Sequence, residues 1–164
     1  MHRRYDTALF AEKIRKVREL MPDAFIGVDV IVGTRGETEE CFEEAYNFIA
    51  GLDISQLHVF SYSERPGTKA LEIPHTVSPQ EKAERSKRLI ALSEQKRQAF
   101  YSRFIGQQRP VLWEHAKAGH PLQGFTDNYI RVELPSTLTA EDNTLTQVQL
   151  GAFTENREAL TASF

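Results

Sequence analysis

The chain has 164 residues, 40% apolar and 26% charged, with a formal net charge of −3, which permits a packed core and excludes a strongly basic nucleic-acid binder. Its one cysteine, Cys41, excludes an internal disulfide framework and an all-cysteine metal site within one chain. There is no apolar run of membrane-spanning length and no signal-peptide pattern, so the composition reads as that of a soluble cytoplasmic protein with no membrane partner.

Asp6 or Thr7 is placed to cap a first helix. Phe10, Ile14, Val17 and Met21 follow at spacings of four, three and four, a single apolar stripe, and Pro22 ends the helix. "AFIGVDVIVG" then reads as a strand buried on both faces, as in a parallel sheet. Thr38 is a plausible cap for a second helix, with Glu39 and Glu40 suited to its dipole and Phe42, Ala45, Tyr46 and Ile49 on one face. "QLHVFSYS" is a second strand, ended by Arg65-Pro66-Gly67. Helix, strand, helix, strand is a βαβ crossover with a helix in front, which favours a parallel α/β sheet. Ser78, Pro79 and Glu81 form a capping box that opens a long third helix, rich in Lys and Arg, running to about Ile105.

At Gly106 the character of the chain changes. Residues 1–105 balance 16 basic against 16 acidic side chains, whereas residues 106–164 carry 4 against 7. The later part has short alternating runs: "RPVLWEH", "NYIRVELP" (Tyr129, Arg131 and Glu133 on one face, Ile130, Val132 and Leu134 on the other) and "TLTQVQL". Gly119, Gly124, Asp127-Asn128 and Asp142-Asn143 punctuate them. The pattern predicts a small antiparallel barrel over residues 106–164, behind an α/β portion over residues 1–105.

Ligands of parallel α/β sheets bind at the C-terminal ends of the strands, where Gly33 and Gly36 lie. Glycines there permit positive φ or close approach of a ligand. Glu37 either accepts hydrogen bonds from a ligand's hydroxyl or amino groups, or only favours the start of the helix. Arg65, at the same rim, either meets an anion or is solvated. In the barrel, Phe125 and Tyr129 are candidates to stack on bases and Arg131 to reach a phosphate or base; the alternative is a turn with Tyr129 covering the barrel. The basic face of the third helix is a second RNA candidate, against the plainer reading of a solvated face. His58, His75, His115 and His120 have no partners at metal-ligand spacing, and Cys41 reads as a small buried or half-buried thiol.

In order, "MHRRYD", "DVIVGTRGETEECFEEAYNFI", "LHVFSYSERPGTKA", the long helix and "GFTDNYIRVEL" resemble the radical S-adenosylmethionine methylthiotransferases. The resemblance covers Met1 to about Leu150 and points to the branch that modifies threonylcarbamoyladenosine in tRNA. It implies that residues 1–105 are the last βα units of a partial (β/α)6 radical domain. Residues 106–164 would be a TRAM RNA-binding barrel. It implies a cofactor wall in which Ile31 packs near the adenine of S-adenosylmethionine, with Gly33, Gly36 and Glu37 in the adjacent turn. The backbone of His58, Val59 and Phe60 would hold the adenine edge. Phe125, Asn128, Tyr129 and Arg131 would contact RNA.

The implied parent enzyme adds a 2-methylthio group to a modified adenosine next to the anticodon. It uses S-adenosylmethionine and two 4Fe–4S clusters whose ligands lie outside this chain. Its partners would be the tRNA anticodon stem-loop and the N-terminal domains of the same polypeptide. Without cluster cysteines, this chain alone is expected to hold no metal and no catalytic residue, and to be inactive. The usual family turn reads Gly-Phe-Pro-Gly-Glu; Thr34-Arg35 stands here for Phe-Pro, which predicts a more flexible polar corner. Two rival readings are a fragment of the ribosomal-protein aspartate methylthiotransferase and a non-catalytic, stand-alone RNA-binding module.

Overall fold

The computed structural model describes residues 5–115, 120–135, 138 and 140–164. The first four residues of "MHRRYD" and Gly119, read above as motif and turn, lie outside them. The chain divides into two compact units, Met1–Arg97 and Gln98–Phe164.

The first unit begins with α1 (Thr7–Leu20), capped by the Asp6 carboxylate, which accepts from the Leu9 amide at 2.8 Å. Of the predicted stripe, only Ile14 is fully buried, and Val17 and Met21 are exposed. β1 (Gly27–Val32) pairs in parallel with β2 (Gln56–Ser61), Asp29 opposite His58 and Ile31 opposite Phe60. Between them runs α2 (Glu39–Ala50), capped by Thr38, whose hydroxyl accepts from the Cys41 amide. Val28, Val30, Val32, Leu57 and Val59 pack with Ile14, Phe42, Ile49, Leu89 and Leu92 into one core.

Burial along β1 alternates, contrary to the expectation of a strand buried on both faces. Gly27, Asp29 and Ile31 are exposed, because the helices cover one face of this two-stranded sheet and the period-two pleat turns these residues to the other. The segment after β2 carries a short 3₁₀ turn (Lys69–Glu72). α3 (Pro79–Ser102) then opens on the predicted capping box. The Ser78 amide donates to Glu81 Oε2 at 2.8 Å, and the Glu81 amide donates to Ser78 Oγ at 3.2 Å. The division between the two units falls inside this helix.

The second unit is a closed five-stranded barrel of β3 (Gln108–Trp113), β4 (Gln123–Thr126), β5 (Arg131–Glu133), β6 (Leu145–Phe153) and β7 (Leu160–Ser163), ordered β3-β4-β5-β7-β6. Four pairings are antiparallel and one, β5 with β7, is parallel. Ile130, Val132 and Leu134 point inward as the alternation predicted, joining Val111, Trp113, Val148, Leu150 and Leu160 in a core closed to solvent. The Trp113 indole N–H finds Thr146 Oγ1 at 2.7 Å, so its polar atom is satisfied inside the barrel.

Candidate functional site

The turn after β1 is built on two left-handed glycines, Gly33 (φ +77°) and Gly36 (φ +83°). A Cβ on Gly33 would lie 2.4 Å from Lys82 Cγ, so the missing side chain makes room for the stem of Lys82 as well as permitting the backbone. The Lys82 ammonium donates to the Tyr62 carbonyl at 3.2 Å. Glu37 faces inward within this unit. Its two oxygens accept from the Gly33 amide at 3.0 and 3.1 Å, and Oε1 accepts from Arg85 at 2.8 Å. Arg85 is only 3% exposed and also donates to Glu39 at 2.9 Å and to the Glu37 carbonyl. Burial works against its charge, but the bonds to Glu39 and Glu37 outweigh burial and hold its pKa above the usual arginine value.

The corner at Thr34-Arg35 is polar, but it is held rather than loose. Arg35 Nε bonds Glu64 at 2.7 Å, and Nη1 donates to the Leu71 and Ile73 carbonyls at 3.1 and 2.9 Å. The Gly36 amide donates to the His75 carbonyl at 3.0 Å, and His75 Nε2 lies 3.2 Å from the Glu37 carbonyl. Arg65 is exposed at the same rim.

The uncovered face of the sheet brings several predicted residues together. Ile31 (43% exposed) and Phe60 (52%) are cross-strand neighbours, with the pair Asp29 and His58 one step back along the strands. Val59 sends its side chain the other way, into the core. The Leu57 amide and carbonyl both bond Ser93 Oγ, at 2.9 and 3.0 Å, on the outer edge of β2. Period-two alternation directs the backbone of Val59 to that same edge. An apolar pair beside a glycine turn, at the C-terminal ends of parallel strands, suits a flat heteroaromatic ring.

On the barrel, the outward residues Arg131, Phe125, Leu112 and Leu145 stand opposite one another across four strands. Phe125 lies 6.4 Å from the Tyr129 ring, and the Arg131 guanidinium sits over Phe125 at 5.8 Å. Tyr129 is 69% exposed and has a left-handed backbone (φ +62°). Asn128 differs from these three, because it is buried and its Oδ1 accepts from Thr126 Oγ1 at 2.7 Å. Thr126 Oγ1 in turn accepts from the Ile130 amide, so this pair shapes the turn that displays Tyr129. The outward Leu112 and Leu145, absent from the sequence reading, were legible as the polar-side positions of alternating runs occupied by leucine.

The basic face read along α3 is largely consumed within the first unit. Arg85 and Arg88 pair with Glu37, Glu39 and Glu43, Arg97 pairs with Glu94, and Lys96 donates to the Ala50 and Leu52 carbonyls at the end of α2. Arg88 also lies over the Phe42 and Tyr46 rings. Cys41 is exposed, not buried, because position 41 on α2 faces away from the core side held by Phe42 and Ile49. No cluster of three His, Cys, Asp or Glu side chains able to hold a metal occurs among the described residues. One exposed thiol does not fit an iron–sulfur cluster, which needs several thiolates. No described helix is long and apolar enough to cross a membrane.

No family model matches the chain. It is 39% identical over 141 residues to the threonylcarbamoyladenosine tRNA methylthiotransferase MtaB of Bacillus subtilis, covering 84% of this chain and 31% of that protein. It is also 39% identical over 137 residues to the tRNA-2-methylthio-N(6)-dimethylallyladenosine synthase of Methylobacillus flagellatus, covering 82% of this chain and 31% of that one. Against the MtaB protein of Aquifex aeolicus the identity is 36% over 134 residues, with 81% and 31% covered. The chain thus spans under a third of the length of these curated relatives.

Proposed function

From its homology to the tRNA methylthiotransferases, which runs over about 80% of the chain, we propose that this sequence is the C-terminal portion of an enzyme that adds a 2-methylthio group to a modified adenosine beside the anticodon. The observation that carries the reading is that this homology covers most of a chain in which parallel βα units precede a closed barrel. Residues 1–105 are the end of a radical domain and residues 106–164 a TRAM-like barrel. The protein acts in the cytoplasm on tRNA.

In this reading Ile31 and Phe60 pack against the adenine of S-adenosylmethionine, and along His58, Val59 and Phe60 it is the Val59 backbone, turned away from β1, that reads its edge, while the backbone of His58 and Phe60 holds the strand to β1. The turn from Gly33 to Glu37 closes the end of the pocket, with Glu37 holding the turn through the Gly33 amide rather than touching the cofactor. When bound, S-adenosylmethionine supplies the radical and methyl chemistry; this chain supplies the wall that orients it. The two iron–sulfur clusters belong to other parts of the polypeptide, and this chain alone is inactive. On the barrel, Phe125 and Tyr129 stack on bases of the anticodon stem-loop, Arg131 contacts its backbone, and Asn128 shapes their turn.

The matching 39% identity to a dimethylallyladenosine synthase supports a second reading of the precursor base. One experiment addresses both. The gene carrying this sequence is deleted in its source organism, and total tRNA nucleosides are measured by liquid chromatography and mass spectrometry. Loss of the 2-methylthio derivative of threonylcarbamoyladenosine supports the first precursor, and loss of the dimethylallyl derivative the second. Retention of both at parental amounts overturns the proposal.

A further inference from the structure

We propose that Arg35 is a positioning residue that locks the turn after β1 to the segment after β2, so that both loops at the C-terminal end of the sheet form one preformed rim. The observation is geometric. Arg35 reaches three partners on the second loop: the Glu64 carboxylate at 2.7 Å and the carbonyls of Leu71 and Ile73 at 3.1 and 2.9 Å. Those residues are 29 to 38 positions further along the chain. Its side chain is 19% exposed despite lying on a loop. The planar guanidinium carries its donors on separate nitrogens in a rigid fork, so one side chain spans a carboxylate and two carbonyls at separate positions, whereas the three N–H groups of a lysine ammonium all leave a single nitrogen.

Adjacent contacts close the same seam. The Gly36 amide donates to the His75 carbonyl, and a Cβ on Gly36 would sit 3.3 Å from Ile73. The second loop buries little of its own surface, since Leu71 and Ile73 are exposed and the residues from Ser63 to Lys69 all face solvent. Segments with few buried apolar contacts open easily. Arg35 therefore contributes a large share of that loop's order.

The bearing of this clamp on a cofactor rests on the function proposed above; the clamp itself does not. The test compares the parent chain with Arg35→Met, Arg35→Lys and Glu64→Gln. Amide hydrogen exchange at Gly36 and over residues 64–76 is read beside ligand-observed NMR with millimolar S-adenosylmethionine. Arg35→Met is expected to speed exchange at the hydrogen-bonded amides of Gly36, Leu71 and Ile73 by about tenfold, leaving strand amides unchanged. Arg35→Lys restores part of the protection, and Glu64→Gln, which keeps the two carbonyl bonds, has a smaller effect. The S-adenosylmethionine signal falls in Arg35→Met and partly returns in Arg35→Lys. Unchanged exchange in Arg35→Met overturns the clamp, and faster exchange with a parental cofactor signal overturns its positioning role. Absence of any cofactor signal on the parent, with the exchange pattern as expected, supports the clamp and counts against the cofactor wall.

Discussion

Glu37 shows how one side chain can read two ways in a sequence and resolve through a partner far along the chain. Gly-x-x-Gly-Glu after a strand is legible as a left-handed turn, and Gly33 and Gly36 are both left-handed. That Glu37 turns inward was not legible, because its partner Arg85 lies 48 positions away and looks like one of many cations on a charged helix. Ser93 is a similar case. Mid-helix and unremarkable by pattern, it satisfies the Leu57 amide and carbonyl while buried. Ser93→Ala strands both groups away from water and is expected to cost about 1–3 kcal/mol in denaturant unfolding of the first unit; a change of a few tenths would contradict this role. Glu64 carries a pH dependence. Its hydrogen bond to Arg35, with lesser help from the charges of Arg35 and Lys82, holds its carboxyl below the ordinary glutamate value. A depressed folded pKa means the pair stabilises fully above the unfolded carboxylate range and is lost as pH falls through the lower folded value. The melting-temperature gap between parent and Glu64→Gln should therefore be constant at neutral pH and close on acidification. A gap that persists in strong acid would speak against it.

At the level of elements, long periodic segments and complete caps were readable: the capping box of α3, the caps at Asp6 and Thr38, and the alternation through Ile130, Val132 and Leu134. β4 and β7 escaped the reading because each has only four residues, too few to establish a period, and owes its strand character to barrel neighbours. The basic helix was misjudged as a face because pattern counts charges without their partners, and most of its cations meet Glu residues of α2 or carbonyls. The β4–β5 turn separates two roles that sit side by side in sequence. Tyr129→Ala should weaken binding of a tRNA anticodon stem-loop by about 1–3 kcal/mol, measured by fluorescence anisotropy, with the melting temperature unchanged. Asn128→Ala should instead lower barrel stability. Equal affinities for Tyr129→Ala and parent would remove the aromatic platform from the RNA reading.

For the whole molecule, the sheet of the first unit is its most consequential feature. β1 pairs only with β2 among the described residues, which leaves one edge of β1 without a strand partner. Such an edge templates pairing with another chain, and the exposed Ile31 adds apolar surface beside it. Light scattering over a concentration series should show self-association that Ile31→Lys suppresses. A monodisperse parent at all concentrations would indicate that the edge is protected.

The barrel offers a reporter of its own. Trp113 is the only tryptophan in the sequence, and it is buried in the second unit with its indole bonded to Thr146. Fluorescence excited selectively through indole therefore sees the barrel alone, while far-ultraviolet circular dichroism is weighted towards the helices. Superimposable unfolding curves from the two signals would mean that the chain melts as one cooperative body. A tryptophan transition displaced from the helical one would give each unit its own stability, with no added label and no cut in the chain.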